Sequence, residues 1–94
     1  MYTIHKDQPQ DDLGQTDTSG LTISIANNLG ETQEKETLFH EITHAVFDLV
    51  GITKVLDGID GDLEERVIRA TSPAMFDVLT RPENASVFKH LFIQ

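Results

Sequence analysis

The stretch from Gln33 to Val50 constrains the fold more than any other part of the chain, because it has the period of an amphipathic helix. At about 100° per residue, one side carries the apolar side chains Leu38, Phe39, Ile42, Ala45, Val46, Leu49 and Val50. The opposite side carries Thr37, His40, Glu41, His44 and Asp48. Thr32 is the predicted N-cap and Gly51 the stop. The apolar side predicts packing on a core, whereas the polar stripe needs a separate explanation.

A metal site explains the polar stripe. His40 and His44 lie one helical turn apart, so both imidazoles can reach a single ion. Glu41 points to the same side, where it can act as general base on a water that zinc activates by lowering its pKa to about 7. The segment matches the H-E-x-x-H pattern of zinc metallopeptidases. The competing interpretation is two surface histidines on a solvated helix face.

A catalytic zinc needs a third protein ligand and an open fourth position. The chain has no cysteine, and Phe47 and Val50 stand where a metzincin continuation would need Gly and His. Asp48 lies one turn beyond His44, which favours a supporting or solvated role. The third ligand is therefore predicted to be a carboxylate on a second helix, where Glu64 and Glu65 are the candidates.

The predicted period of that second helix, residues 62–80, favours Glu64. Its buried face is expected to carry Val67, Ala70, Thr71, Ala74, Met75 and Val78, and Glu64 shares this face. Glu65 has another role available as the capping-box partner of Asp62, and it is the fallback third ligand. Both could also be ordinary first-turn acids. Pro73 is expected to kink the helix, or to divide it with Ser72 as a new N-cap.

The rest of the chain predicts one domain over residues 1–94. Residues 1–20 are expected to form a short strand at 2–5 and then a loop, residues 21–26 a half-buried strand, and 54–61 a connection. The tail, 83–94, could hold a short helix with Val87, Phe88 and Leu91. His5 and His90 are expected at the surface, and Tyr2 is a candidate oxyanion donor that no pattern places near the metal.

Composition limits the partners. Sixteen acidic residues against 7 basic ones give a formal charge of -9, which disfavours direct binding to nucleic acid phosphates. It suits basic partners or simple solubility. The absence of cysteine, of a signal peptide pattern and of an apolar stretch able to span a membrane predicts a cytoplasmic protein.

The stretch LTISIANNLGETQEKETLFHEITHAVFDLVG resembles the core of the ImmA/IrrE-type metallopeptidases and related small phage-encoded zincins. LEERVIRATSPAMFDVL is similar to the helix that carries their third ligand, although Pro73 departs from it. The resemblance covers about residues 18–80. It implies His40, His44 and Glu64 as zinc ligands and Glu41 as the general base. It also implies that the strand at 21–26 is an edge strand whose residues 21–25 pair with an extended substrate. The alternation of residues 21–25 fits ordinary pairing inside the sheet equally well.

These observations predict an α+β, minimal zincin-like fold: a short twisted β-sheet packed on the H-E-x-x-H helix and a second helix with the third ligand. The predicted function is zinc-dependent hydrolysis of peptide bonds in a protein or peptide substrate. By resemblance, that substrate is a regulatory protein of a phage or mobile element. The alternative is an acidic phage-type interaction or modulator protein with a structural zinc and no catalysis. A weaker option is a DNA-mimicking inhibitor, but the acidic residues are scattered.

Overall fold

The computed structural model describes residues 1–7 and 12–87 and shows a small α+β fold. Its strands are β1 (Thr3–Asp7), β2 (Gly14–Asp17) and β3 (Thr22–Ala26). Its α-helices are α1 (Glu31–Leu49), α2 (Ile52–Ile59) and α3 (Leu63–Thr80), followed by a 3₁₀ turn at Pro82–Asn84. The α+β class predicted from the sequence is confirmed, and both histidines of the motif lie on α1.

The sheet is built around β3. This strand pairs in parallel with β1 on one side and antiparallel with β2 on the other. Ile23 and Ile25 are 2% and 1% exposed and pack with Ala45 of α1 in the core, because alternate side chains of a strand share one face. The prediction that residues 21–26 form an edge strand is wrong, since both sides of β3 are already hydrogen-bonded. Within the described residues the edges are β1 and β2.

The hairpin between β2 and β3 replaces part of the predicted loop at 6–20. The Asp17 carboxylate closes the turn by accepting hydrogen bonds from the backbone N–H groups of Ser19 (3.0 Å) and Gly20 (3.1 Å). Gly14 lets β2 approach α1 closely, because an added Cβ would lie 2.7 Å from Thr37 Cγ2 and 3.0 Å from Glu41 Cγ. The hairpin therefore brings β2 against the polar side of α1.

Helix α1 matches its predicted core face in the middle but not at its end. It starts after Gly30, not after Thr32, and it stops before Gly51, whose φ of 84° is left-handed. Leu38 and Ile42 pack on the core as expected. The predicted core residues at the end are exposed instead: 46% for Val46, 63% for Leu49 and 64% for Val50.

Two helices follow α1 where one was predicted. The expected connection at 54–61 is largely the helix α2. Helix α3 runs without interruption through Pro73, so of the two expected outcomes the division at Ser72 does not occur, and the kink at Pro73 stays a prediction. Asp62 is the N-cap of α3, but its side chain makes no capping hydrogen bond, so the expected capping box with Glu65 does not form.

The buried face of α3 is not the predicted one. Ile68 and Ser72 are buried, whereas Met75 and Val78 are 48% and 51% exposed. The helix packs on α1, where Phe76 makes an edge-to-face contact with Phe39 with ring centroids 6.2 Å apart. Glu65 lies one turn before Ile68 on this side. Glu65 therefore faces α1, where it contacts His40 and His44. Most residues of the face that was predicted to include Glu64 are exposed.

The predicted tail at 83–94 is described only in part. The 3₁₀ turn is attached to α3, because the Asn84 side-chain amide donates a hydrogen bond to the carbonyl oxygen of Val78. The predictions for Phe88, His90 and Leu91 concern residues outside those that the structure describes. None of the helices within 1–7 and 12–87 combines the length and the apolar character needed to cross a bilayer.

Candidate metal centre

One carboxylate joins the two histidines of the motif. His40 Nε2 lies 2.8 Å from Glu65 Oε1, and His44 Nε2 lies 2.7 Å from Glu65 Oε2. The two imidazole rings are 5.1 Å apart between centroids. Adjacent turns of α1 supply the histidines, and the first turn of α3 supplies the acid. The structure thus brings together three side chains of the types that zinc prefers.

The second nitrogen of His44 meets the neighbouring acid. His44 Nδ1 lies 2.7 Å from Glu64 Oε2. The other oxygen of Glu64 accepts a hydrogen bond from the hydroxyl of Thr53 on α2. The Glu64 side chain is only 14% exposed. The structure therefore places Glu64, the predicted third ligand, beside His44 but on the far side of its ring from Glu65.

The donor set of His40, His44 and Glu65 fits a small divalent cation. One ligand atom from each residue lies within 4.8 Å of the other two. Tetrahedral zinc bound at about 2.0–2.1 Å needs its ligand atoms about 3.4 Å apart. Glu65 meets the two histidines through different oxygens, with Oε1 2.8 Å from His40 Nε2 and Oε2 2.7 Å from His44 Nε2, so an ion placed among the three side chains would separate these contacts. The three residues form a candidate site for a divalent metal ion.

The electrostatics of the cluster keep Glu65 ionised. Burial alone would raise the pKa of this carboxyl. The combined effect of the adjacent His40 and His44 lowers it by more, so the pKa lies below its usual value. Arg69, one turn on, donates a hydrogen bond to Glu65 Oε1 at 3.2 Å. An ionised carboxylate is the form that binds a metal ion.

Glu41 is held by β2 rather than by its own helix. Thr16 Oγ1 lies 2.8 Å from Glu41 Oε1 and 3.0 Å from the Glu41 main-chain oxygen, so its one proton is shared between them. Glu41 Oε2 has no hydrogen-bond partner within the described residues. Sequence reasoning missed Thr16, because its role depends on the contact between β2 and α1. One oxygen of Glu41 is oriented and the other remains available to a water molecule.

An open cleft of about 840 Å³ contains the cluster. Residues 12–16 form one wall, α3 from Glu65 to Phe76 forms the other, and α1 forms the floor with His40, Glu41 and His44. Strand β2 has no partner on its outer side among the described residues. The candidate metal ligands and the candidate general base therefore line one cleft, together with residues of the edge strand β2.

Other residues singled out by the sequence lie elsewhere. Tyr2 donates a hydrogen bond to Asp48 Oδ2 at 2.8 Å, which places both residues outside the His–His–Glu cluster. Burial, the hydrogen bond and the negative charge of Asp48 raise the pKa of Tyr2 to about 12. His5 is exposed on β1. The polar stripe of α1 is thus divided between the cleft and a contact with the N-terminal strand.

Comparison of the chain with known protein families, with curated proteins and with solved structures finds no match. The resemblance to the ImmA/IrrE-type enzymes therefore stays a prediction. The function is inferred from the residues of the cleft and their geometry.

Proposed function

We propose that the chain is a zinc-dependent metallopeptidase in which His40, His44 and Glu65 hold the ion and Glu41 is the general base. The observation that carries the proposal is the convergence of the three ligand side chains within 4.8 Å, in the cleft that also holds Glu41. Glu65 replaces Glu64 as the third ligand, because it alone of the two contacts both histidines.

The division of work among the residues follows from the cleft. Zinc, when bound, lowers the pKa of water to about 7 and polarises the scissile carbonyl. Glu41 accepts the proton of the attacking water through Oε2 and delivers it to the leaving amine. Thr16 keeps the Glu41 carboxylate from rotating by holding Oε1. Residues of α1 and Thr16 of β2 thereby contribute to the same reaction.

The substrate is proposed to be a protein segment in an extended conformation. An exposed strand edge recognises such a segment through main-chain hydrogen bonds, with little demand on its sequence. Strand β2 runs along the wall of the cleft and provides this edge. It takes the role that the sequence suggested for residues 21–26. The proposed substrate remains a regulatory protein, by the resemblance alone.

The test is the variant Glu41→Gln, which keeps the size of the side chain and removes the base. Zinc content is measured by elemental analysis, and hydrolysis is followed by mass spectrometry on denatured casein. Wild type is expected to hold one zinc and to cleave. Glu41→Gln is expected to hold the same zinc and to cleave about 10²–10⁴-fold more slowly. The matched control is Asp57→Asn, an exposed acid on α2 remote from the cleft.

The same experiment separates catalysis from a structural zinc. A structural site needs His40, His44 and Glu65 but has no use for Glu41. If zinc-loaded wild type and Glu41→Gln leave casein equally intact, the alternative of an interaction protein with a zinc staple replaces the enzyme. If wild type binds no zinc, both interpretations fail.

A further inference from the structure

We infer that Glu64 is a positioning residue that sets the ring of His44 for the metal, and that Thr53 of α2 anchors it. The inference rests on the proposed metal centre and adds to it a residue with a separate role. Its basis is the contact of His44 Nδ1 with Glu64 at 2.7 Å, opposite the contact of His44 Nε2 with Glu65 at 2.7 Å.

The ring geometry decides which acid faces the ion. The two nitrogens of an imidazole point in different directions, so only one of them can reach a given ion. His40 also meets Glu65 through its Nε2, at 2.8 Å. The ion therefore belongs on the Nε2 side of both rings, which is the Glu65 side. Glu64 lies on the Nδ1 side of His44 and acts through that ring.

A carboxylate in this position fixes three properties of the ligand. It keeps the proton on Nδ1 and leaves the lone pair on Nε2, it holds the ring plane, and it makes the ring a stronger donor to the metal. Glu64 suits this task because its side chain is 14% exposed and its other oxygen is held by Thr53. Two successive residues of α3, Glu64 and Glu65, thus contact the His44 ring from opposite sides.

Helix α2 gains a role from this arrangement. It is short, and most of its apolar side chains are exposed, including Val55 at 64% and Ile59 at 71%. Its Thr53 nevertheless reaches the polar cluster between α1 and α3. His40 differs from His44, because its Nδ1 has no hydrogen-bond partner within the described residues. His44 is therefore the pre-oriented ligand, and His40 adjusts to the ion.

The test measures the zinc dissociation constant by competition with a chromophoric chelator at one pH. Glu65→Gln is expected to abolish specific binding. Glu64→Gln is expected to weaken it about 10–100-fold, and Thr53→Val by a smaller factor in the same direction. The matched control is Glu36→Gln, which removes the same charge from a residue that lines the cleft but contacts neither histidine. It is expected to change the constant less than about threefold, because an exposed charge is screened.

A second readout separates positioning from general destabilisation. Long-range ¹H–¹⁵N NMR of the imidazoles in the zinc-loaded protein is expected to show His44 protonated at Nδ1 in wild type. Glu64→Gln is expected to broaden or shift this signal while the far-ultraviolet circular dichroism is unchanged. Zinc binding by wild type with equal constants for Glu64→Gln and Glu36→Gln would overturn the inference alone. No zinc binding by wild type would overturn the proposed metal centre as well.

Discussion

Helices α1 and α3 both supply the metal centre, but they are attached to the molecule in different ways. On its sheet side α1 packs against Ile23 and Ile25, with Ala45 4% exposed. In contrast, α3 buries only Ile68 and Ser72 fully and leaves several apolar side chains exposed. On its inner side it contributes two carboxylates to the histidines of α1.

The contacts of α1 with the sheet are apolar, whereas the contacts of α3 with α1 include three between carboxylates and histidines. Unpaired charges in such a partly buried cluster are costly, and ions or protons that compensate them stabilise the contact. A metal ion at the cluster would therefore link α3 to α1.

Zinc is expected to stabilise the wild-type protein strongly. With free zinc at about 1,000 times its dissociation constant, the free energy of unfolding should rise by about 4 kcal/mol. His44→Ala should abolish this gain, because it removes a ligand and the group that both acids contact. The measurement is urea denaturation with and without buffered zinc. An equal gain in His44→Ala would show that the ion binds elsewhere and that α3 is not linked through this cluster.

Ile68 is expected to be the main apolar anchor of α3. It is 0% exposed, so Ile68→Ala should lower the free energy of unfolding by about 2–5 kcal/mol. Met75→Ala on the same helix is the control. Its side chain is 48% exposed, so its effect should stay within about 0.5 kcal/mol. A larger loss at Met75 than at Ile68 would restore the face that the sequence predicted.

This pair also shows why the sequence predicted α1 better than α3. On α1 the apolar and polar residues separate cleanly, and the motif lies on the polar side. On α3 the apolar residues surround the helix, so the sequence is compatible with more than one buried face. The predicted face contains Val67 and Met75, and Glu64 lies on the same side. The structure identifies the side of α3 that faces inward, through the burial of Ile68 and the contacts of Glu65 with His40 and His44.

The missed strand and helix have other causes. Strand β2 has the sequence Gly-Gln-Thr-Asp, without apolar alternation, and it exists because it pairs with β3. Helix α2 contains Gly58 and is followed by Asp60, Gly61 and Asp62, and this composition indicates a loop. In β2, long-range pairing with β3 overrides the local preference. The roles of Thr16 and Thr53 depend on these two elements, so no local pattern could predict them.

Gly14 tests how closely β2 must approach α1. A Cβ at Gly14 would meet Thr37 Cγ2 at 2.7 Å, Glu41 Cγ at 3.0 Å and Ile25 Cδ1 at 3.1 Å. Gly14→Ala should therefore destabilise the protein by about 1–3 kcal/mol through overpacking. Gly58→Ala in α2 is the control, since nothing lies within 4 Å of its Cβ position. There the substitution should stabilise by about 0.4–1 kcal/mol. A neutral Gly14→Ala would mean that β2 is held loosely.

Tyr2 tests the part of the α1 stripe that lies outside the cleft. The chain has 1 tyrosine and no tryptophan, so the near-ultraviolet absorbance of tyrosinate reports this residue alone. Burial and Asp48 raise its pKa from 10.0 to about 12, and the neutral phenol is therefore the form that folding favours. The stability it contributes is complete below pH 10.0 and is lost as the pH rises toward about 12.

Replacing Asp48 separates the two causes. Asp48→Asn keeps a hydrogen-bond acceptor and removes the charge, so the Tyr2 midpoint should fall. It should remain above 10.0, because burial is the largest cause of the shift. Zinc affinity should stay within about threefold of wild type, because Asp48 contacts Tyr2 and not the histidines. A parallel loss of zinc affinity would show that the stripe of α1 acts as one unit, and the contrast between its two parts would then fail.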